Sequence, residues 1–276
     1  MRLLVFIPVA VLLGTTLAAA QGSDCASVSR SDKDVVLRAN SWDPVLDIGA
    51  TLVDRYGINV SVESPQWAFP GDTEDVAIAD PQFSAEHENA HYPIMRRHAV
   101  EVRFPAPVTN ATPHDVSVIL LRVAEAANKE MPYSYRVDTH DNQYVLVPTK
   151  TRGSSGEVED AQPLLDRRVT ISAASRSIAE HARIMADQLS KQTGLKISCC
   201  QMLASGVNWG LAEVPFQADD EPARDVLRRL IRLERLANSQ APNRHPDYDH
   251  WTVGCDGTGA PWCFIEVRGS LAHQCR

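Results

Sequence analysis

The sequence predicts an α+β protein made of two tandem β-α-β-β-α-β-β modules joined by a polar linker. Three observations predict it. A strand, a helix closed by glycine and a second strand occur twice, because Asp54-Arg55-Tyr56-Gly57-Ile58-Asn59-Val60-Ser61 matches Lys191-Gln192-Thr193-Gly194-Leu195-Lys196-Ile197-Ser198 in kind, position by position. Each copy is followed by another strand, a helix that opens at proline, and a hairpin. Between the copies, Thr151 to Asp160 is polar, acidic and rich in Gly and Ser, the composition of a linker. The boundaries are a signal peptide over 1–20, a first module over 21–150 with an insert at about 63–97, a linker over 151–162, and a second module over 163–276.

The first module opens with Val35 to Ala39 as a strand. Asp43-Pro44 starts a helix, Asp as cap and Pro at the first helical position. Val45, Ile48, Leu52 and Tyr56 share its apolar face, Gly57 ends it, and Ile58 to Val62 is the return strand. Ala99 to Phe104 alternates cleanly. Thr112-Pro113-His114-Asp115 starts the second helix, with Val116, Ile119, Leu120 and Val123 as its stripe. Tyr135-Arg136-Val137 and Gln143 to Val147 form a hairpin turning at Asp141-Asn142.

In the second module Val169-Thr170-Ile171 is the first strand. Ser177 and Glu180 have capping-box spacing, Ile178, Ala182, Met185 and Leu189 lie on one helical face, and Gly194 closes that helix before Leu195 to Cys199. Leu211 to Phe216 is the next strand, and a second insert falls at 200–210. Asp220-Glu221-Pro222 opens a helix bearing Val226, Leu230, Ile231 and Leu233, and residues 251–267 are the closing hairpin.

The N-terminus reads as a targeting segment. Arg2, the apolar run Leu3 to Leu17 and the small residues Ala18-Ala19-Ala20 are the three parts of a signal peptide, cut before Gln21. No cysteine follows the small residues directly, which disfavours lipid attachment, and no later apolar run reaches the roughly 18 residues that cross a bilayer. Losing Arg2 takes 27 basic residues to 26 against 35 acidic ones, a net charge near −9. Such a chain repels nucleic acid. Its basic clusters are Arg96-Arg97-His98 and Arg228-Arg229, the second on a helix face. About 256 residues remain, enough for two modest cores. The six cysteines are Cys25, Cys199, Cys200, Cys255, Cys263 and Cys275, an even set that suits disulfides in an exported chain. The 251–267 hairpin brings Cys255 opposite Cys263. Metal-knuckle spacing is lacking, and adjacent Cys199 and Cys200 point to opposite faces of a strand.

The order of elements resembles the short N-terminal domain of secretins and TonB-dependent receptors. Tyr56-Gly57-Ile58, Thr193-Gly194-Leu195, Thr112-Pro113 and Glu221-Pro222 carry the likeness. Leu164-Leu165-Asp166-Arg167-Arg168-Val169-Thr170-Ile171 and Asp220-Glu221-Pro222-Ala223-Arg224-Asp225-Val226-Leu227 further resemble exported bacterial proteins built from this doubled unit. The likeness covers most of the mature chain; the inserts depart from the short domain. It implies an envelope interaction module and brings no catalytic residues.

One string carries a chemistry of its own. His87-Glu88-Asn89-Ala90-His91 fits the pattern in which two His one helical turn apart bind zinc and the Glu activates water. Pro93 interrupts the helix it needs, the flanks lack an apolar stripe, and a third ligand is missing: Ile94 and Arg97 stand where the extended motif has Gly and His, and Glu101 lies too near, in a strand. A solvated loop is the expectation. Asp72, Glu74 and Asp75 after Pro70-Gly71 could hold calcium, but without EF-hand spacing they read as an acidic exposed turn. Trp67 and Phe69, between Pro65 and Pro70, either anchor a partner or plug the gap beneath the insert, the plug being favoured. Phosphate-loop, dinucleotide and nucleophile-elbow motifs do not occur, and Ser, His and Asp make no triad without geometry. The expectation is a non-catalytic periplasmic or secreted protein that binds another envelope protein or assembles with it. It has no nucleic-acid partner, no cofactor and no membrane span after signal removal. A secreted zinc hydrolase centred on His87, Glu88 and His91 is the alternative, and a carbohydrate-binding module rests on the loop aromatics alone.

Overall fold

The computed structural model describes residues 26–31, 33–67, 69–79, 81–87, 92–106, 112–140, 143–199, 210–239, 248–256 and 262–269. Its first half begins with β1 (Ser27–Arg30) and β2 (Asp34–Ser41). In α1 (Pro44–Tyr56) the Asp43 carboxylate accepts from the Leu46 N–H at 3.1 Å, and Val45, Ile48 and Leu52 are buried as their spacing requires. Gly57 takes φ 63°, the left-handed turn that frees the chain to reverse into β3 (Val60–Glu63). The insert folds into β4 (Thr73–Asp75), α2 (Val76–Ala79), α3 (Pro81–Glu86) and β5 (Pro93–Met95), with β4 pairing β5. Next come β6 (His98–Pro105) and α4 (Pro113–Glu130), whose Thr112–Asp115 capping box is complete. Val116, Ile119, Leu120 and Val123 are buried beneath it. The hairpin is β7 (Ser134–His140) and β8 (Gln143–Arg152), extended by β9 (Val158–Asp160).

The second half has β10 (Arg168–Ser177), α5 (Ile178–Thr193), β11 (Lys196–Cys199), β12 (Glu213–Pro222), α6 (Ala223–Ser239), β13 (Tyr248–Asp256) and β14 (Trp262–Gly269). Ser177 Oγ accepts from the Glu180 N–H, one arm of the expected box, while Glu180 itself lies 3.9 Å from Arg176. Gly194, at φ 72°, ends α5 as Gly57 ends α1. The helix that Asp220-Glu221-Pro222 was expected to open starts one residue later, these three closing β12 instead.

Strand pairing recurs along with element order. The antiparallel pair β2–β6 has its counterpart in β10–β12, the parallel pair β3–β8 in β11–β14, and the hairpin β7–β8 in β13–β14. The halves nevertheless share one sheet. Its order is β11-β14-β13-β3-β8-β7 with β9 on β8, seven strands in all, and the join is the parallel pairing of Thr252 with Val62 and Val253 with Glu63. The other described strands form three smaller sheets, β1-β2-β6, β10-β12 and β4-β5. Buried residues of both halves form one continuous apolar cluster. The polar stretch read as a linker over 151–162 is corrected accordingly. Thr151 and Arg152 complete β8, and Val158 to Asp160 fold back on it as β9, so hairpin pairing outweighs the flexible composition. Among the described residues no helix is long and apolar enough to cross a membrane. Residues 1–25 with the expected cut, the turn Asp141-Asn142, and Cys25, Cys200 and Cys275 lie outside the described residues.

Candidate functional site

A groove of 670 Å³ lies in the second half, open to solvent on one side. It exists because of a local irregularity in β10. Between Ile171 and Ala174 the register against β12 slips, a bulge that bends the strand away from its neighbour. The small side chains of Ala173 and Ala174 leave the floor low there, and Pro215 and Phe216 of β12 continue it. From α6, half-buried Leu233 forms the wall, with Arg229 and exposed Arg232 at the rim. Leu236, one turn on, is 56% exposed. Arg229 is a fixed part of the wall: its Nη1 donates to both Glu221 oxygens at 2.6 and 2.7 Å, its Nη2 to the Gln217 carbonyl at 2.7 Å, and its guanidinium lies 4.5 Å over the Phe216 ring. The result is an apolar slot with a cationic lip on an acidic chain.

Several strands have edge groups closed by side chains, β10 of the groove among them. Gln188 of α5 accepts from the Thr170 N–H at 2.9 Å and donates to the Thr170 carbonyl, so one amide stands in for a neighbouring strand. Gln192 donates to the Arg168 carbonyl at 2.8 Å and Arg176 to that of Ser172 at 3.2 Å. On β7, Asn128 accepts from the Tyr135 N–H at 2.6 Å and donates to the Tyr135 carbonyl at 3.2 Å. Arg122 covers the Arg103 carbonyl on β6 at 2.9 Å, and the Ser190 hydroxyl accepts from the Ile197 N–H on β11 at 3.0 Å. Satisfied edge groups do not recruit stray strands.

A second cluster locks the halves together. Arg224 of α6 donates to Glu63 of β3 at 2.7 Å and to Asp166, and lies 3.8 Å from Asp138 of β7. The Glu63 side chain is fully buried and also accepts from the Leu165 N–H at 3.1 Å. Burial pushes the Glu63 carboxyl above its ordinary range against the pull of Arg224. Arg224 is held above its own ordinary value, because Glu63 and Asp166 outweigh the burial that opposes its charge. Arg136, bonded to Asp138 at 3.0 Å, completes the network.

The insert is pinned by a third cluster. Trp67 is buried edge-on against Tyr133, ring centroids 4.4 Å apart, which makes it a plug and withdraws it from partner contact. Phe69 is half-buried under the Arg152 guanidinium, 5.4 Å away. Asp72 is not in an exposed turn: it is buried, accepts from the Tyr133 hydroxyl, and receives Arg152 Nη1 at 3.0 Å. Burial and that bond to Asp72 push the Tyr133 hydroxyl well above its usual range. Burial lowers the His98 imidazole, opposed by Asp72. Glu74 and Asp75 lie on β4, and no group of carboxylates, His and Cys with metal-holding geometry occurs among the described residues. Of the zinc string, His87 is exposed just after α3, and Glu88, Asn89, Ala90 and His91 lie outside the described residues. Cys255 and Cys263 are bonded across β13–β14 with Cα atoms 4.1 Å apart, in the expected register.

No family model, curated protein or solved structure matches the chain.

Proposed function

We propose that the chain is an exported, non-catalytic envelope protein that binds another protein through the groove on its second half. The groove carries this reading, because an apolar slot with a cationic lip suits a side chain of a partner. Three further observations support it. Each half runs strand, helix, strand, then strand, helix, hairpin, the order on which the resemblance to the short domain of secretins and TonB-dependent receptors rests. The Cys255–Cys263 bond suits an oxidising compartment, which is what the N-terminal targeting segment implies. The polar clusters built around Arg224 and Asp72 are tied off internally, so their charges hold elements together.

Metal analysis of the mature protein separates this reading from a zinc hydrolase. The expected result is no stoichiometric zinc, with His87→Ala leaving stability within about 0.5 kcal/mol, as for exposed substitutions generally. Stoichiometric zinc that is lost, together with a hydrolase activity, on His87→Ala would establish the enzyme instead.

A further inference from the structure

The edge of β10 is closed from Arg168 to Ser172 and opens at Ser175. Ser175 stands opposite Pro215, which has no N–H to give. That pair is therefore of the non-hydrogen-bonded kind, and the Ser175 N–H and carbonyl turn away from β12. Ser175 also lines the groove. An open strand position and an apolar slot thus lie side by side.

The other half shows what such an edge takes. β2 corresponds to β10, and its far edge carries β1, antiparallel, from Ser27 opposite Arg38 to Arg30 opposite Val35. In the second half no described strand takes that place: α5 side chains fill it only as far as Thr170, and Arg176 of β10 itself covers the Ser172 carbonyl. The charge of the site narrows the occupant. Arg232 and Arg235 are exposed along α6 beside the groove, on a chain of formal net charge −8.

Resting on the binding reading above, we infer that the partner presents an extended segment of alternating apolar and acidic residues. It adds antiparallel to β10 at Ser175, seats an apolar side chain against Ala174, Pro215 and Leu233, and turns its acid toward Arg232. Main-chain pairing supplies the affinity and the slot and the lip supply the choice of sequence.

The test is amide NMR of the full mature chain titrated with an end-capped Glu-Val-Glu-Val-Glu-Val peptide. The Ser175 amide is expected to shift and to exchange more slowly. A Lys-Val-Lys-Val-Lys-Val peptide is expected to bind about tenfold more weakly, and the exposed substitution Arg232→Glu to reverse that preference. The Glu-Val peptide N-methylated on alternate amides is expected to lose the effect at Ser175. If all three peptides shift Phe216 and Leu233 alike and leave Ser175 unmoved, strand addition is wrong and the groove binds side chains only. If no peptide shifts any groove residue, the inference fails outright, while the wider binding reading is judged by the cross-linking experiment given at the end of the Discussion.

Discussion

Replacing Arg224 by Met is expected to cost about 3–5 kcal/mol of unfolding free energy, because it strands buried charge. Glu63, fully buried on β3, loses its only ion-pair partner among the described residues, and Asp166 and Asp138 keep Arg136 but lose the Arg224 cation. Coulomb attraction at this site offsets a desolvation penalty that remains when one partner is gone. The double variant Glu63→Leu with Arg224→Met should therefore recover part of the loss. What it cannot recover is the Leu165 N–H, which gives its bond to Glu63 and would be left buried, a residual of about 1–3 kcal/mol. Urea unfolding at neutral pH measures each variant. The single substitution should shift the midpoint of one transition for the whole chain, since β3 and α6 belong to different halves. A loss under about 1 kcal/mol, the range of a solvated surface pair, would mean that the halves are not clamped here.

Trp67→Ala is the second large effect, about 3–5 kcal/mol for removing a buried Trp. For a chain of this size that corresponds to roughly 6–20 °C in Tm. The indole packs on Tyr133, whose hydroxyl holds Asp72, which in turn holds Arg152 of β8. Deleting the ring loosens the seat of the insert against β8, so amide exchange should rise first across 70–75. Were Trp67 a partner anchor, alanine would change Tm little and weaken partner capture instead.

The helices were legible because their information is local. A cap, a 3.6-residue stripe and a closing glycine fall within one segment, as Asp43 to Gly57 and Ser177 to Gly194 show. The Cys255–Cys263 pair was legible because a hairpin fixes its own register. β1 was missed because Ser27-Val28-Ser29-Arg30 carries a single apolar residue, and β9 because Val158-Glu159-Asp160 looks like solvated chain. Both are strands only through the partner they lie against. The C-terminal part of β10, Ala173 to Ser177, is small and polar and owes its shape to β12. The join between halves left no signal at all, since Val62 and Thr252 are paired across most of the chain. Arg224 read as part of a helix start, and nothing local marks Glu63 or Asp166 as its partners. The groove is assembled from three elements, so no single stretch announces it.

The most direct test of the binding reading is site-specific photo-cross-linking in intact cells. A photoreactive residue is placed at Leu233 in the groove wall, with Leu121, 51% exposed on the corresponding helix of the first half, as the control position. The account predicts a discrete adduct with another envelope protein from position 233, weakened by Arg232→Glu and not formed from position 121. No adduct at 233, or the same adducts from both positions, would contradict it.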